Sequence, residues 1–245
     1  MSSGSVLLQA DPRDAVRDAT AVPDLLPGFA RHPRESLSTL PFDRRLIDLC
    51  GRAFARLVPT PAVGGLIAVV GPGRGEGRST VAAALATSIV RDTDVSVLLL
   101  DLDFERPRQT DLFRVASSPG LGEFLEGASK LRLVAGSAAR RLWLGAAGSS
   151  SREPSRLSHD LLGSGLLAAL QERFAWIVAD LPPISEPAAQ TIARVADYQL
   201  FVGRHRQTTL AGLERSLELA GGDRPAGFLL TGDQSRIPAW IKRLL

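Results

Sequence analysis

The chain alternates short, uninterrupted apolar runs with longer stretches of helical period. Leu66-Ile67-Ala68-Val69-Val70, Val95-Ser96-Val97-Leu98-Leu99-Leu100, Trp176-Ile177-Val178-Ala179, Gln199-Leu200-Phe201-Val202 and Gly227-Phe228-Leu229-Leu230 have the length and apolar continuity of strands buried on both faces. Leu131-Arg132-Leu133-Val134 and Leu142-Trp143-Leu144 are two shorter candidates. Helices are predicted over residues 79–90, 161–174 and 210–220. Ahead of the first strand, Leu46, Ile47, Leu49, Cys50, Phe54 and Leu57 form one apolar stripe, closed by Pro59 and Pro61. Strand and helix in alternation predict an α/β fold, a mostly parallel sheet with helices on both faces. Ligands of such sheets bind at the carboxyl ends of the strands. Function is therefore to be sought just after each apolar run.

The two ends of the chain read differently. Residues 1–40 carry scattered prolines and no sustained period, and are expected to form a flexible arm before a single domain over 41–234. Residues 235–245 form a short tail, in which Ile237, Trp240, Ile241, Leu244 and Leu245 make one apolar face beside Lys242 and Arg243. Such a tail either packs against the domain or a partner, or lies as a basic amphipathic helix in a membrane interface.

Composition narrows the classes. With 245 residues, 44% hydrophobic and 22% charged, there is room for one sizeable core, and a wholly disordered or collagen-like chain is excluded. A single cysteine, Cys50, excludes a disulfide framework and a multi-cysteine metal site. No run reaches the ~18 apolar residues of a membrane span. The first residues lack the basic start of a signal peptide, so a cytoplasmic location is expected. The pI of about 9.7 reflects a net charge of only +3, carried by arginines interleaved with acids (Lys130 and Lys242 are the only lysines), so nucleic acid is not an expected partner.

Three strand ends carry residues suited to chemistry. Gly71-Pro72-Gly73-Arg74-Gly75-Glu76-Gly77-Arg78-Ser79-Thr80 leaves one predicted strand and enters an alanine-rich helix. Glycines let backbone N–H groups point inward as a nest for phosphate oxygens, and the helix start adds its positive end. Ser79 stands where a hydroxyl ligates magnesium. The P-loop spelling, however, wants a lysine where Arg78 stands and a glycine where Pro72 stands. Asp101 and Asp103 end the second strand, placed to hold a metal through water or to activate a hydroxyl, or else as a solvated turn. Asp180 precedes Leu181-Pro182-Pro183, either as the acid that orients a metal's water shell or as a helix-capping acid. Together at one sheet edge, the three segments point to a nucleotide site. His32, His159 and His205 have no metal-ligand spacing, and Ser79 lacks the surroundings of a hydrolase nucleophile. Arg204 and Arg206 follow a strand end, placed to approach a ligand or a neighbouring subunit, though a solvated turn is the expected reading.

This constellation resembles the bacterial tyrosine kinases (BY-kinases) of exopolysaccharide and capsule biosynthesis, within the MinD/ParA-type P-loop ATPases. The similarity runs in order over residues 42–232 through GEGRST, VLLLDLDFERPRQTDLF, GLGEFLEG, PSRL and FAWIVADLPP. It implies a P-loop NTPase fold. It also implies that Gly73, Arg74, Gly75, Glu76, Gly77, Arg78, Ser79 and Thr80 bind nucleotide and that Ser79, Asp103 and Asp180 sit near Mg2+. Asp101 is then the candidate base, and Asp180, Asp103 and Arg78 complete the catalytic set. The expected ligands are ATP or ADP with Mg2+, and the expected partner is a membrane-anchored polysaccharide copolymerase at the inner face of the plasma membrane. A homo-oligomer is a further expectation.

The chain departs from that pattern at several points. Arginine's planar fork neutralises phosphate but cannot occupy the point a lysine ammonium takes, so Arg78 implies weak or lost nucleotide binding and phosphoryl transfer. Tyr198 is the only tyrosine, which excludes autophosphorylation of a tyrosine cluster. Ala188 stands where the family carries an acid, with Glu186 two residues earlier, and Thr231 stands where an asparagine ends the last strand. The expectation is a regulatory, degenerate BY-kinase-like protein. The rivals are an active ATPase or tyrosine kinase, and a MinD/ParA-like positioning ATPase. Gly73, at the place of that subgroup's signature lysine, argues against the last.

Overall fold

The structure, a computed structural model, describes residues 29–31, 43–59, 64–136 and 141–232. The tail over 235–245 lies outside the described residues, as does most of the arm.

Among the described residues eight strands form one sheet: β1 (Phe29–Arg31), β2 (Gly65–Val70), β3 (Val97–Asp101), β4 (Leu131–Ala135), β5 (Leu142–Gly145), β6 (Trp176–Asp180), β7 (Tyr198–Arg204) and β8 (Ala226–Thr231). Their order is β1-β4-β5-β3-β6-β2-β7-β8. From β5 to β8 every pairing is parallel, whereas β4 runs antiparallel to β5. The strand β1 pairs in parallel with β4, so part of the expected arm adds to the sheet edge. An edge strand held by backbone hydrogen bonds needs no apolar period, which is why its residues carry no strand signal.

Both faces of the central strands are buried, as their apolar runs require. On one face Ile67, Val69, Val97, Leu99 and Val178 meet α1 (Arg44–Leu57) and α2 (Arg78–Asp92). On the other, Leu66, Ala68, Leu98, Leu100 and Ile177 meet α5 (Pro154–Gly163), α6 (Leu166–Gln171), α7 (Pro187–Ala193) and α8 (Leu210–Ala220). Ala82, Ala83, Ala84 and Ala86 let α2 lie close to the sheet, and all four are fully buried. Among the described residues no helix is long and apolar enough to cross a membrane.

The helix expected over 161–174 is two helices instead. Pro154 opens α5 at its first turn, and Gly165, at φ 73°, separates it from α6. Left-handed backbone suits glycine and ends a helix. Two further short helices, α3 (Gln109–Phe113) and α4 (Leu121–Leu125), lie between β3 and β4.

Candidate functional site

The order β3-β6-β2-β7-β8 sets the carboxyl ends of five parallel strands side by side. The glycine-rich loop leaves β2 at the centre. Asp101 and Asp180 are register partners on β3 and β6, and Val69 of β2 is opposite Asp180. Arg74, Arg78, Ser79, Asp101, Asp103 and Asp180 thus gather at one edge. His159 lines a shallow groove with Arg152 and Arg156 elsewhere. Tyr198 opens β7 at the opposite end of the sheet and meets the ring of Trp176 at 5.8 Å.

The loop owes its path to glycine. Gly77 caps α2 with φ 90° and no side-chain hydrogen bond, leaving the helix's first N–H groups to face the loop. A Cβ on Gly71 would stand 2.6 Å from the Val202 carbonyl and 2.7 Å from Glu76. Glu76 is only 3% exposed and ties the loop together. One of its carboxylate oxygens accepts the Gly73 N–H at 2.9 Å, and the other accepts the Thr208 hydroxyl at 2.6 Å. Thr231 donates to the Glu76 carbonyl at 2.6 Å, and Arg204 donates to the Gly75 carbonyl at 3.0 Å. Arg204 is therefore not simply a solvated turn residue. It ends β7, the neighbour of β2, and a long guanidinium there reaches the loop.

Arg78 begins α2 and is buried, with its guanidinium 3.5 Å from the Gly71 carbonyl. Burial lowers its pKa, and the charges of Asp180, Asp103 and Glu76 oppose that shift. Thr80 is half-buried in the first turn of the same helix.

The three aspartates have different surroundings. Asp101 is fully buried, and its carboxylate accepts the N–H groups of Arg108 and Gln109, both at 2.9 Å, and of Asp103 at 3.3 Å. It thereby holds the start of α3. Burial and the Asp180 charge raise its pKa well above the usual carboxylate range, against those three donors. Asp180 accepts the Gln109 side-chain amide at 2.7 Å and the Ser79 hydroxyl, while its second oxygen is buried without a partner. Burial pushes its pKa up to about 6. Asp103 accepts the Arg106 N–H at 3.0 Å and pairs with Arg74 at 2.9 Å.

Arg74 also pairs with Glu186 at 2.8 Å and Glu105 at 3.1 Å. Glu186 precedes α7, and burial raises its pKa despite Arg74. Ala188, on α7, is buried. Sequence reasoning missed Gln109, Glu105 and Thr208. Gln109 sits inside the DFERPRQT stretch, and an amide between two acid-bearing segments was the available signal.

Among the described residues no three His, Cys, Asp or Glu side chains are placed to cage a metal ion. Magnesium asks for less, since it keeps several waters and takes one or two protein oxygens with the ligand's phosphates. The unpartnered Asp180 oxygen beside Ser79 fits that need, whereas Asp103 is engaged by Arg74. A glycine nest at a helix start next to such an acid can cradle a polyphosphate and its metal.

This is an α/β fold of the P-loop NTPase type. The cell-division ATPase MinD of Pyrococcus furiosus superposes with a TM-score of 0.56 at 20% identity, over 68% of this chain and 71% of that one. The kinase domain of the Escherichia coli tyrosine kinase ETK superposes with a TM-score of 0.67 at 22% identity, over 76% of this chain and 74% of that one. No protein-family model matches the sequence. In sequence the chain is 28% identical over 173 residues to the tyrosine-protein kinase ptk of Acinetobacter johnsonii. That stretch is 69% of this chain and 24% of the relative, so the chain spans about a quarter of the kinase's length. In sequence the chain is thus similar to a bacterial tyrosine kinase, and in fold to a bacterial tyrosine kinase domain.

Proposed function

We propose that this chain is a regulatory BY-kinase-like protein of exopolysaccharide or capsule assembly. It binds ATP or ADP weakly, has little or no kinase activity, and acts through a membrane-anchored copolymerase partner at the inner face of the plasma membrane. The observation that supports this reading is Arg78: it stands where a phosphate loop carries lysine, and its guanidinium lies 3.5 Å from the Gly71 carbonyl.

In this reading the N–H groups from Gly75 to Thr80 receive the phosphates, with the start of α2 behind them. Ser79 and Asp180 would hold magnesium, directly or through its water, and Asp103 would be a further donor if freed from Arg74. The metal, when bound, neutralises developing phosphate charge. Gln109 keeps Asp180 oriented toward Ser79. Asp101, fully engaged by backbone donors, holds the acid-bearing loop in place and is a weaker candidate for the base than its position implies. The lone tyrosine, half-buried at the far end of β7, is consistent with the absence of a self-phosphorylated cluster.

Calorimetric titration with MgADP and MgATP tests the site, and the polymer output of a deletion strain tests the role. Measurable but weak binding, with altered polysaccharide on deletion, is expected. Unchanged polysaccharide removes the regulatory role. Substantial phosphate release that Asp180→Ala abolishes would favour the rival reading, an active ATPase or kinase, for which the intact Ser79–Asp180 pair speaks.

A further inference from the structure

Arg74 rises from the loop after β2 and joins acids that follow two other strands. Its guanidinium contacts Asp103 and Glu105 beyond β3 and Glu186 beyond β6, at 2.9, 3.1 and 2.8 Å. The Asp103 side chain is only 9% exposed, so that contact is shielded from water and salt. Beside it lies the buried, unpartnered oxygen of Asp180, which feels the charge of Asp103. These acids form no ready-made metal cage, yet carboxylate oxygens left without a cation draw a hydrated divalent ion. Here a cation covalently tied to the loop is already among them.

A guanidinium also pairs bidentately with phosphate. A nucleotide arriving on the loop therefore offers Arg74 an alternative partner and frees Asp103. Metal and nucleotide would each favour the other's entry, since the same side chain resists the first and welcomes the second.

We propose that Arg74 is the resident counter-cation of this site: it excludes a free divalent ion and admits metal together with a nucleotide whose phosphates draw its guanidinium away. The exclusion stands on the ion pairs alone, whereas the coupled entry rests on the nucleotide reading given above.

Manganese uptake by the full chain, followed by electron paramagnetic resonance, separates the two parts. Arg74→Gln and Arg74→Met are both neutral and near the native length, and either serves if the other fails to fold. Without nucleotide, each is expected to bind Mn2+ at least tenfold more tightly than the native chain. Arg74→Lys, which keeps the charge, is expected to stay within threefold of native. With ADP, after allowance for the manganese that ADP itself chelates, native affinity should rise at least tenfold and that of Arg74→Gln less than threefold. Equal Mn2+ affinity for native and neutral variants without nucleotide overturns the proposal. A lysine variant that behaves like glutamine overturns the charge account. A gain in the neutral variants with no ADP effect in any form leaves the exclusion standing, overturns coupled entry and counts against nucleotide binding.

Discussion

Asp101 and Asp180 are register partners at the ends of adjacent parallel strands, yet their carboxylates meet different surroundings. Three backbone N–H groups surround Asp101, while Asp180 faces two side chains and keeps one buried oxygen free. Burial raises the pKa of both, and a neighbouring charge adds to each shift, that of Asp180 for Asp101 and that of Asp103 for Asp180.

Raised pKa values make stability depend on pH in a definite sense. The folded Asp180 carboxyl titrates at about 6, against roughly 3.9 in an unfolded chain. Its contribution is thus fully present below about 4 and is lost as pH rises through about 6. Asp180→Asn should flatten that dependence, leaving the variant more stable than native at pH 7.5 by on the order of 2 kcal/mol. Urea unfolding of both chains at pH 4.5, 6 and 7.5 checks the difference. A constant gap across that range would contradict the assignment.

Arg78→Lys should tighten MgADP binding about tenfold. A compact ammonium tracks phosphates where the arginine fork leans on Gly71. Calorimetry on the two chains under identical salt measures it.

Thr208→Val should cost about 1–3 kcal/mol, because it leaves a buried Glu76 oxygen without its donor. Equilibrium denaturation reads the loss. Glu76→Gln, which keeps an acceptor for the Gly73 N–H or for Thr208, should cost less.

Gly71→Ala should cost about 1–3 kcal/mol and abolish nucleotide binding, since its methyl would press on the Val202 carbonyl, which is backbone and cannot swing aside. Gly163→Ala, where a methyl meets nothing within 4 Å, is the matched control and should leave binding unchanged.

What the chain disclosed in advance depended on what local pattern can encode. The runs ending in Val70, Leu100 and Ala179 were legible because strands buried on both faces must be apolar throughout. The acids after them were legible because parallel sheets present ligand-facing residues at strand ends. Gly165 hid the break between α5 and α6, since the apolar period continues through it. The short pairing of residues 29–31 with β4 left no trace, being a backbone matter at an edge. The partners of Arg74 could not be read at all: Glu105 and Glu186 are 81 positions apart in sequence and converge on Arg74 only because β3 and β6 are neighbours. Arg204 was hidden likewise, its link to Gly75 spanning 129 positions.

Thr231 closes the outermost strand of one sheet edge, and its hydroxyl grips the Glu76 carbonyl. Among the described residues that strand has a neighbour on one side only, and Phe228 and Leu230 stand half in solvent along it. Whatever leans on this border therefore pulls, through a single hydroxyl, on the turn where phosphates would rest. The periphery of the molecule is a lever on its centre.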